Sequence, residues 1–120
     1  MNALSITQFL DSPKSKFLSP KKIAQRLSLQ VNDLAESVHV HRNTLSARPQ
    51  SPKVQESLRA IVRVISAATE VFGDRDIAIT WMMNEPVPAF RHKTAFALVR
   101  EGRVEAVVTY LDSIASGFVG

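Results

Sequence analysis

The longest hydrophobic pattern in the chain lies between Ser51 and Gly73. Its apolar residues recur at three- and four-residue spacing over about six helical turns: Val54, Leu58, Ile61, Val62, Ile65, Ala68 and Phe72. Charged residues such as Arg59 and Arg63 occupy positions between them. Serine and proline at Ser51-Pro52 favour a helix start, and glycine at position 73 favours a helix end. The pattern therefore predicts one long amphipathic helix.

Shorter periodic segments predict further helices on both sides of this long one. The pair Ser19-Pro20 repeats the start signal and opens a helix of its own. We expect the remaining helices near residues 31–38, 42–47, 74–84, 94–101 and 103–116. In the 74–84 helix, Ile77, Trp81 and Met82 are expected to be buried, and Ile114 is expected in the buried stripe of the 103–116 helix. No segment shows the sustained alternation of a strand, so the sequence predicts an all-α fold.

Two prolines interrupt the helical pattern after Trp81. Pro86 and Pro88 each lack an N–H and clash with a preceding helical turn, and each disfavours helical geometry in the residue before it. We therefore expect the helix that carries Trp81 to end near Glu85. An extended apolar crossing should follow, and Thr94 is the expected cap of the next helix.

Composition narrows the class of protein. The chain has 120 residues, of which 45% are hydrophobic and none is cysteine. This length fits one domain or two small units that share a core. The lack of cysteine excludes disulfides, thiolate catalysis and cysteine-ligated zinc. No apolar run approaches the ~18 residues of a membrane span, and the N-terminal residues do not resemble a secretory signal. We expect a cytoplasmic protein with no membrane association.

The positive charge is concentrated in the first half of the chain. Residues 1–63 contain ten Lys or Arg and four Asp or Glu, a net charge of +6, whereas residues 64–120 contain five and seven, a net charge of −2. A basic half joined to a mildly acidic one favours a protein that binds a polyanion and has a second role. The alternative interpretation is that these charges lie on an ordinary solvent-exposed face and bind no polyanion.

Residues 34–46 have the pattern of two short helices joined by a tight turn. Ala35 is small enough for a close helix crossing, Val40 fills the turn, and Leu45 anchors the second helix. This arrangement projects the second helix outward, where it can enter a major groove about 12 Å wide. The residues expected to contact DNA from this helix are His41, Arg42, Asn43, Ser46 and Arg48. The residues expected to contact flanking phosphates are Lys21, Lys22, Lys53 and Arg59.

This segment resembles the Xre/Cro-type helix-turn-helix, in which a leucine-alanine pair precedes a turn glycine, a valine and a polar recognition helix. His39 stands here in place of the turn glycine. A left-handed backbone is uncommon but allowed for histidine. The competing interpretation is a short polar helix in a bundle, with no DNA contact.

The second half of the chain resembles the Xre/MbcA/ParS-type antitoxins that pair with RES-domain toxins. The resemblance covers roughly residues 52–120, and its motifs are Phe72-Gly73-Asp74, the segment from Trp81 to Phe90, Lys93 to Leu98, Val104 to Leu111, and Ile114 to Gly117. Two features depart from the family pattern. Phe90 stands where leucine is usual, and residues 91–95 lack the usual glycine and proline.

The resemblance implies an antitoxin of a type II toxin–antitoxin system. Such a protein binds a RES-domain toxin, covers its NAD-binding cleft, and commonly represses its own promoter as a dimer. The toxin, rather than this chain, degrades NAD. The implied architecture is all-α, with an N-terminal Xre/Cro-like helix-turn-helix unit joined by a long helix to a small C-terminal toxin-binding unit. We place a partly mobile arm at residues 1–18, the helix-turn-helix unit at 19–50, and the remainder at 51–120.

The last helix and the tail are the predicted contacts with the toxin. Aromatic and arginine anchors dominate many interfaces, and a protruding end suits a cleft. The predicted toxin-binding residues are Arg100, Arg103, Tyr110, Ser116, Gly117, Phe118, Val119 and Gly120. The alternative for this tail is a frayed terminus.

No pattern in the sequence points to catalysis, to a metal or to a cofactor. His39 and His41 are two residues apart and His92 stands alone, so neither spacing matches a helical zinc pair. There is no glycine-rich phosphate loop and no nucleophile elbow. A second function class stays open: a helix-turn-helix transcriptional regulator without a toxin partner. A toxin gene beside this one would favour the antitoxin hypothesis.

Overall fold

A computed structural model describes residues 6–117 and confirms the all-α prediction. Seven α-helices lie between residues 20 and 115: α1 (Pro20–Arg26), α2 (Val31–Ser37), α3 (Arg42–Ala47), α4 (Pro52–Phe72), α5 (Arg75–Asn84), α6 (Ala95–Arg100) and α7 (Val104–Ala115). A 3-10 turn covers Pro88–Phe90. Extended pairing within 6–117 is confined to two isolated bridges. The chain divides into two compact units between Arg59 and Ala60, inside α4.

The helix boundaries follow from local capping chemistry. At α1, the Ser19 side chain accepts a hydrogen bond from the Lys22 N–H at 3.1 Å, and Pro20 is the first helical residue. At α5, the Asp74 carboxylate accepts from the Ile77 N–H at 2.9 Å. Gly73 has φ +75° and ends α4 in the left-handed conformation that glycine adopts at least cost. These starts and stops were all predicted.

The N-terminal unit is built around α1, α2 and α3, with α2 packed on both of the others. Its large buried residues are Phe9, Ile23, Leu34, Leu45, Val54 and Leu58. Phe9 belongs to the segment predicted as a mobile arm, yet it is completely buried. Its carbonyl accepts a hydrogen bond from the Ser19 N–H at 2.7 Å. The mobility of residues 1–18 stays a prediction, while residues 6–18 have defined contacts.

The side-chain amide of Gln55, in the first turn of α4, is buried and hydrogen-bonds to two other segments of the N-terminal unit. Gln55 is 3% exposed. Its Oε1 accepts a hydrogen bond from the Leu18 N–H at 2.9 Å, and its Nε2 donates to the carbonyls of Leu18 (2.9 Å) and Pro49 (2.7 Å). The three bonds join the entry of α1 to the loop that follows α3. The sequence pattern did not predict them, because they span up to 37 residues.

The C-terminal unit packs α5 on α6 and α6 on α7. The segment between α5 and α6, which contains Pro86 and Pro88, begins and ends as predicted. Glu85 follows the last residue of α5, and the Thr94 side chain caps α6.

The predicted extended crossing between α5 and α6 is only partly correct: Glu85 and Val87 have extended backbones, and Val87 pairs with Lys93 in an antiparallel bridge. Pro88 instead starts a 3-10 turn, because its fixed φ suits a first helical position. Phe90 is buried by this turn.

The predicted burial of Ile77 is also wrong. Ile77 is 56% exposed, and the buried residues of α5 are Ala78, Ile79 and Met82. Trp81 is half-buried. Apolar residues lie on several sides of α5, so periodicity did not single out one inward face. In α7, Ile114 was also expected in the buried stripe and is 38% exposed.

We expect Gln55→Ala to destabilise the N-terminal unit by about 1–3 kcal/mol, because buried backbone groups at Leu18 and Pro49 lose their partners. Denaturant unfolding followed by circular dichroism measures this loss. The neighbouring exposed variant Glu56→Ala is the matched control and should change stability by less than about 0.5 kcal/mol. Equal effects of the two substitutions would contradict the role assigned to the amide.

Candidate functional site

The turn between α2 and α3 has the geometry that the sequence predicts. His39 has φ +58°, so histidine takes the left-handed conformation expected at this position. The Val40 N–H donates to the Ala35 carbonyl at 3.0 Å and closes the turn. Ala35, Val40 and Leu45 are buried. The segment is therefore a helix-turn-helix, with α3 as its second helix.

The residues predicted to contact DNA from α3 are exposed: His41, Arg42, Asn43, Ser46 and Arg48. His41 also caps α3, because its Nδ1 accepts a hydrogen bond from the Asn43 N–H at 3.1 Å. An external contact by the His41 ring would therefore use Nε2. Arg42 and Asn43, at the start of α3, can each form two hydrogen bonds to a base edge. Arginine pairs in this way with guanine, and asparagine with adenine. Their contact with DNA stays a prediction.

The three lysines predicted to contact phosphates differ in their surroundings. Lys21 and Lys53 are exposed. Lys22 is half-buried, and its Nζ donates to the carbonyls of Leu10 (2.7 Å) and Asp11 (3.2 Å). This geometry gives Lys22 a structural role, since a phosphate contact would compete with two existing hydrogen bonds.

A cleft of about 380 Å³ opens beside α3 in the N-terminal unit. It is lined by Asp11, Ser19, Pro20, Lys21, Val31, Leu45, Ser46 and Pro49. The cleft brings the N-terminal arm and the start of α1 next to the C-terminal part of α3. Lys21 and Ser46, two of the predicted DNA-contacting residues, therefore share one surface feature.

Five of the eight predicted toxin-binding residues lie in the described part of the chain, in three groups. Arg100 and Arg103 are exposed, and Nη1 of Arg103 lies 4.0 Å from Oε1 of Glu101. Tyr110 packs edge-on against Phe90, with ring centroids 5.0 Å apart. Ser116 and Gly117 follow the end of α7 and are exposed. The other three predicted contacts, Phe118, Val119 and Gly120, lie outside the described residues.

A second surface in the C-terminal unit was missed by the sequence reasoning. It is a groove of about 410 Å³ along α5 and the end of α4, lined by Phe72, Asp76, Ile77, Thr80, Trp81, Asn84 and Glu85. We call it the α5 groove. The rings of Phe72 and Trp81 lie 5.4 Å apart and are tilted by 46°. The spacing of Ile77, Trp81 and Asn84 already put them on one helix face. That face was assigned to the core instead of to the surface.

Ion pairs connect the elements of the C-terminal unit. Arg63 of α4 donates two hydrogen bonds to the Glu105 carboxylate of α7. These bonds, together with the charge of Arg63, lower the pKa of Glu105. Lys93 donates to Glu101 at 2.7 Å, and this hydrogen bond lowers the pKa of Glu101, with the charges of Lys93 and Arg103 acting in the same direction. All these side chains are solvent-accessible, so the pairs add little to stability.

Residues 6–117 contain no group of three or more His, Asp or Glu side chains placed to hold a metal ion. No helix in the same range is long and apolar enough to cross a bilayer.

Comparison with known proteins assigns the C-terminal region. Residues 67–117 match the family model described as the antitoxin Xre/MbcA/ParS C-terminal toxin-binding domain. A chain from the crystal structure of the M. tuberculosis MbcT–MbcA toxin–antitoxin complex is similar over the whole of both chains, with a TM-score of 0.62 and 23% identity. At this identity the match shows a shared fold. No curated protein matches the chain. The matched range contains α5, α6, α7 and the α5 groove.

We expect the pKa of Glu101, measured by carbon-13 NMR titration, to lie below the ordinary value of about 4.3. Lys93→Ala should raise this pKa, because it removes the hydrogen bond that favours the carboxylate. Since the folded-state pKa is lowered, the contribution of the pair to stability is present above the unfolded pKa. It is lost as pH falls through the lowered value. Lys53→Ala serves as the control, and an unchanged Glu101 pKa in Lys93→Ala would contradict the assignment.

Proposed function

We propose that this chain is an antitoxin of the Xre/MbcA/ParS type that neutralises the toxin of a type II toxin–antitoxin system, because residues 67–117 match the C-terminal toxin-binding domain of these antitoxins. The proposed toxin is a RES-domain enzyme that degrades NAD in the cytoplasm. The chain acts as a binding protein that covers the active-site cleft of this enzyme, and the toxin carries the catalytic residues.

The observation that carries this proposal is the α5 groove inside the matched region. Its apolar residues include Ile77, which is more than half exposed, and the half-buried Trp81. Tryptophan is enriched among the residues that dominate binding energy, and such residues act where partner side chains exclude water. Exposed apolar surface of this kind costs free energy in water and is relieved by a partner. The groove therefore supports protein binding by the C-terminal unit.

The residues after α6 form the second part of the proposed contact. Arg100 and Arg103 supply exposed guanidinium groups, which pair well with carboxylates and phosphates. Tyr110 is anchored by Phe90, so its position costs little further ordering on binding. We propose that the tail from Ser116 to Gly120 enters the toxin cleft.

We further propose that the N-terminal unit binds promoter DNA and represses the operon. The left-handed turn at His39 and the exposed polar residues of α3 support this role. The net charge of +6 over residues 1–63 supports it as well. Helix-turn-helix proteins bind paired half-sites about one helical turn apart, so we propose a homodimer as the DNA-binding form.

A transcriptional regulator without a toxin partner is the alternative function. It would use the same N-terminal unit but would leave the α5 groove unexplained. The match of residues 67–117 to a toxin-binding domain favours the antitoxin proposal over this alternative.

We expect Ile77→Asp to weaken capture of the cognate toxin by at least about tenfold, equal to about 1.4 kcal/mol of binding free energy. The substitution places a charge where the partner must exclude water. The measurement is a titration of the purified proposed toxin with the purified chain.

Ala89→Asp is the matched control for this experiment. It introduces the same charge at another exposed position of the C-terminal unit, outside the α5 groove. Neutralisation by this control should equal that of the unchanged chain. Full toxin capture by Ile77→Asp would remove the α5 groove from the proposed contact surface.

We expect Arg42→Ala to cost about 1–3 kcal/mol in binding to the promoter and to relax the preference at one base pair. Arg42 is the first residue of α3 and is exposed. Binding to promoter fragments with single base changes, measured by fluorescence anisotropy, tests this expectation. Arg42→Ala binding with unaltered affinity and base preference would show that α3 does not contact bases through this residue.

A further inference from the structure

A short loop with two lysines projects from the N-terminal unit and is not part of the helix-turn-helix. Residues 11–17, Asp-Ser-Pro-Lys-Ser-Lys-Phe, form this loop between Leu10 and Leu18, which pair in an antiparallel bridge. We call residues 11–17 the lysine loop. Both of its lysines, Lys14 and Lys16, are exposed.

Hydrogen bonds give the lysine loop a defined shape. The Asp11 N–H donates to the Phe17 carbonyl at 3.0 Å, and the Ser15 N–H donates to the Ser12 carbonyl at 3.0 Å. The Ser15 hydroxyl accepts from the Phe17 N–H at 3.0 Å. The ammonium of Lys16 lies 5.4 Å from the centre of the Phe17 ring, within range of a cation–π attraction.

The base of the lysine loop is fixed to the rest of the unit. Lys22 of α1 donates to the carbonyls of Leu10 and Asp11, at 2.7 and 3.2 Å. Phe9, directly before these residues, is completely buried. Both anchors lie at the start of the loop. The two lysines are therefore presented on a fixed base, which lowers the entropy that a contact must overcome.

The charge in and near the lysine loop is mainly positive. Residues 6–32 contain five basic residues and one acidic residue, Asp11, which gives a net charge of +4. The basic residues are Lys14, Lys16, Lys21, Lys22 and Arg26. A partner with regularly spaced negative charges fits such a surface.

The lysine loop also lies beside the DNA-reading helix. Asp11, its first residue, lines the same cleft as Lys21 of α1 and Ser46 of α3. All three belong to the N-terminal unit. A duplex that contacts Ser46 would therefore run close to the start of the loop.

We propose that the lysine loop is a second DNA contact, in which Lys14 and Lys16 bind backbone phosphates of the promoter next to the segment reached by α3. This inference rests on the proposed DNA-binding function. Phosphate contacts position a protein on the duplex without reading its sequence. The lysine loop therefore adds affinity and fixes register, while Arg42 and Asn43 supply base preference. Lys22 acts as a positioning residue that holds the base of the loop.

The test uses the full chain and a promoter fragment from its own operon. Lys14→Gln/Lys16→Gln should weaken binding by about tenfold or more near 0.1 M salt. Each lost phosphate contact reduces the slope of log affinity against log salt by about 0.9, so the double variant should lower it by about 2. The preference among promoter fragments with single base changes should be unaltered, and thermal unfolding should match that of the unchanged chain.

Arg91→Gln/Lys93→Gln is the charge-matched control, because it removes two positive charges at exposed positions of the C-terminal unit that take no part in the proposed contacts. An equal loss of DNA binding in this control would show an effect of net charge and overturn the role of the lysine loop. Wild-type affinity and salt slope in Lys14→Gln/Lys16→Gln would also overturn it. Loss of toxin capture by Lys14→Gln/Lys16→Gln, with normal DNA binding, would overturn it as well, since the loop would then contact a protein partner. Absence of promoter binding by the unchanged chain would instead refute the proposed DNA-binding function itself.

Discussion

Burial of the apolar stripe on α4 is the interaction on which both units depend. The first two turns of this helix supply Val54 and Leu58 to the N-terminal unit, and later turns supply Ile61, Ile65 and Ala68 to the C-terminal one. Each of the other helices is at most 12 residues long, and helices of that length are marginal without tertiary packing. A continuous helix with one buried face therefore provides the support on which the shorter functional elements fold.

Local chemistry explains which features were predictable from sequence. Caps at Ser19, Asp74 and Thr94 and the glycine at position 73 act within three or four residues, so helix boundaries followed from spacing alone. The left-handed turn at His39 was also predictable, because the surrounding pattern demands it.

The features that were missed depend on distant or ambiguous information. The amide of Gln55 bonds to Leu18, which is 37 residues away, and the Lys22 ammonium bonds to Leu10. No periodicity encodes either contact. Ile77 was misassigned because α5 carries apolar residues on several faces, and packing on α6 decides which of them is buried. The α5 groove was hidden from sequence reasoning for the same reason.

The two units offer surfaces of opposite chemical character. The N-terminal unit presents cations on α1, α3 and the lysine loop, and such a surface binds phosphates in a salt-dependent way. The C-terminal unit presents an apolar groove with Ile77 and Trp81, and binding there depends on excluding water. The proposed DNA contact and the proposed toxin contact therefore use different residues.

The most direct test of the central claim is to titrate the purified chain into the proposed toxin, a RES-domain enzyme, and to follow NAD consumption. The account predicts that NAD consumption stops when the chain reaches a fixed stoichiometric ratio to the toxin. Undiminished NAD consumption in the presence of excess, folded chain would contradict it.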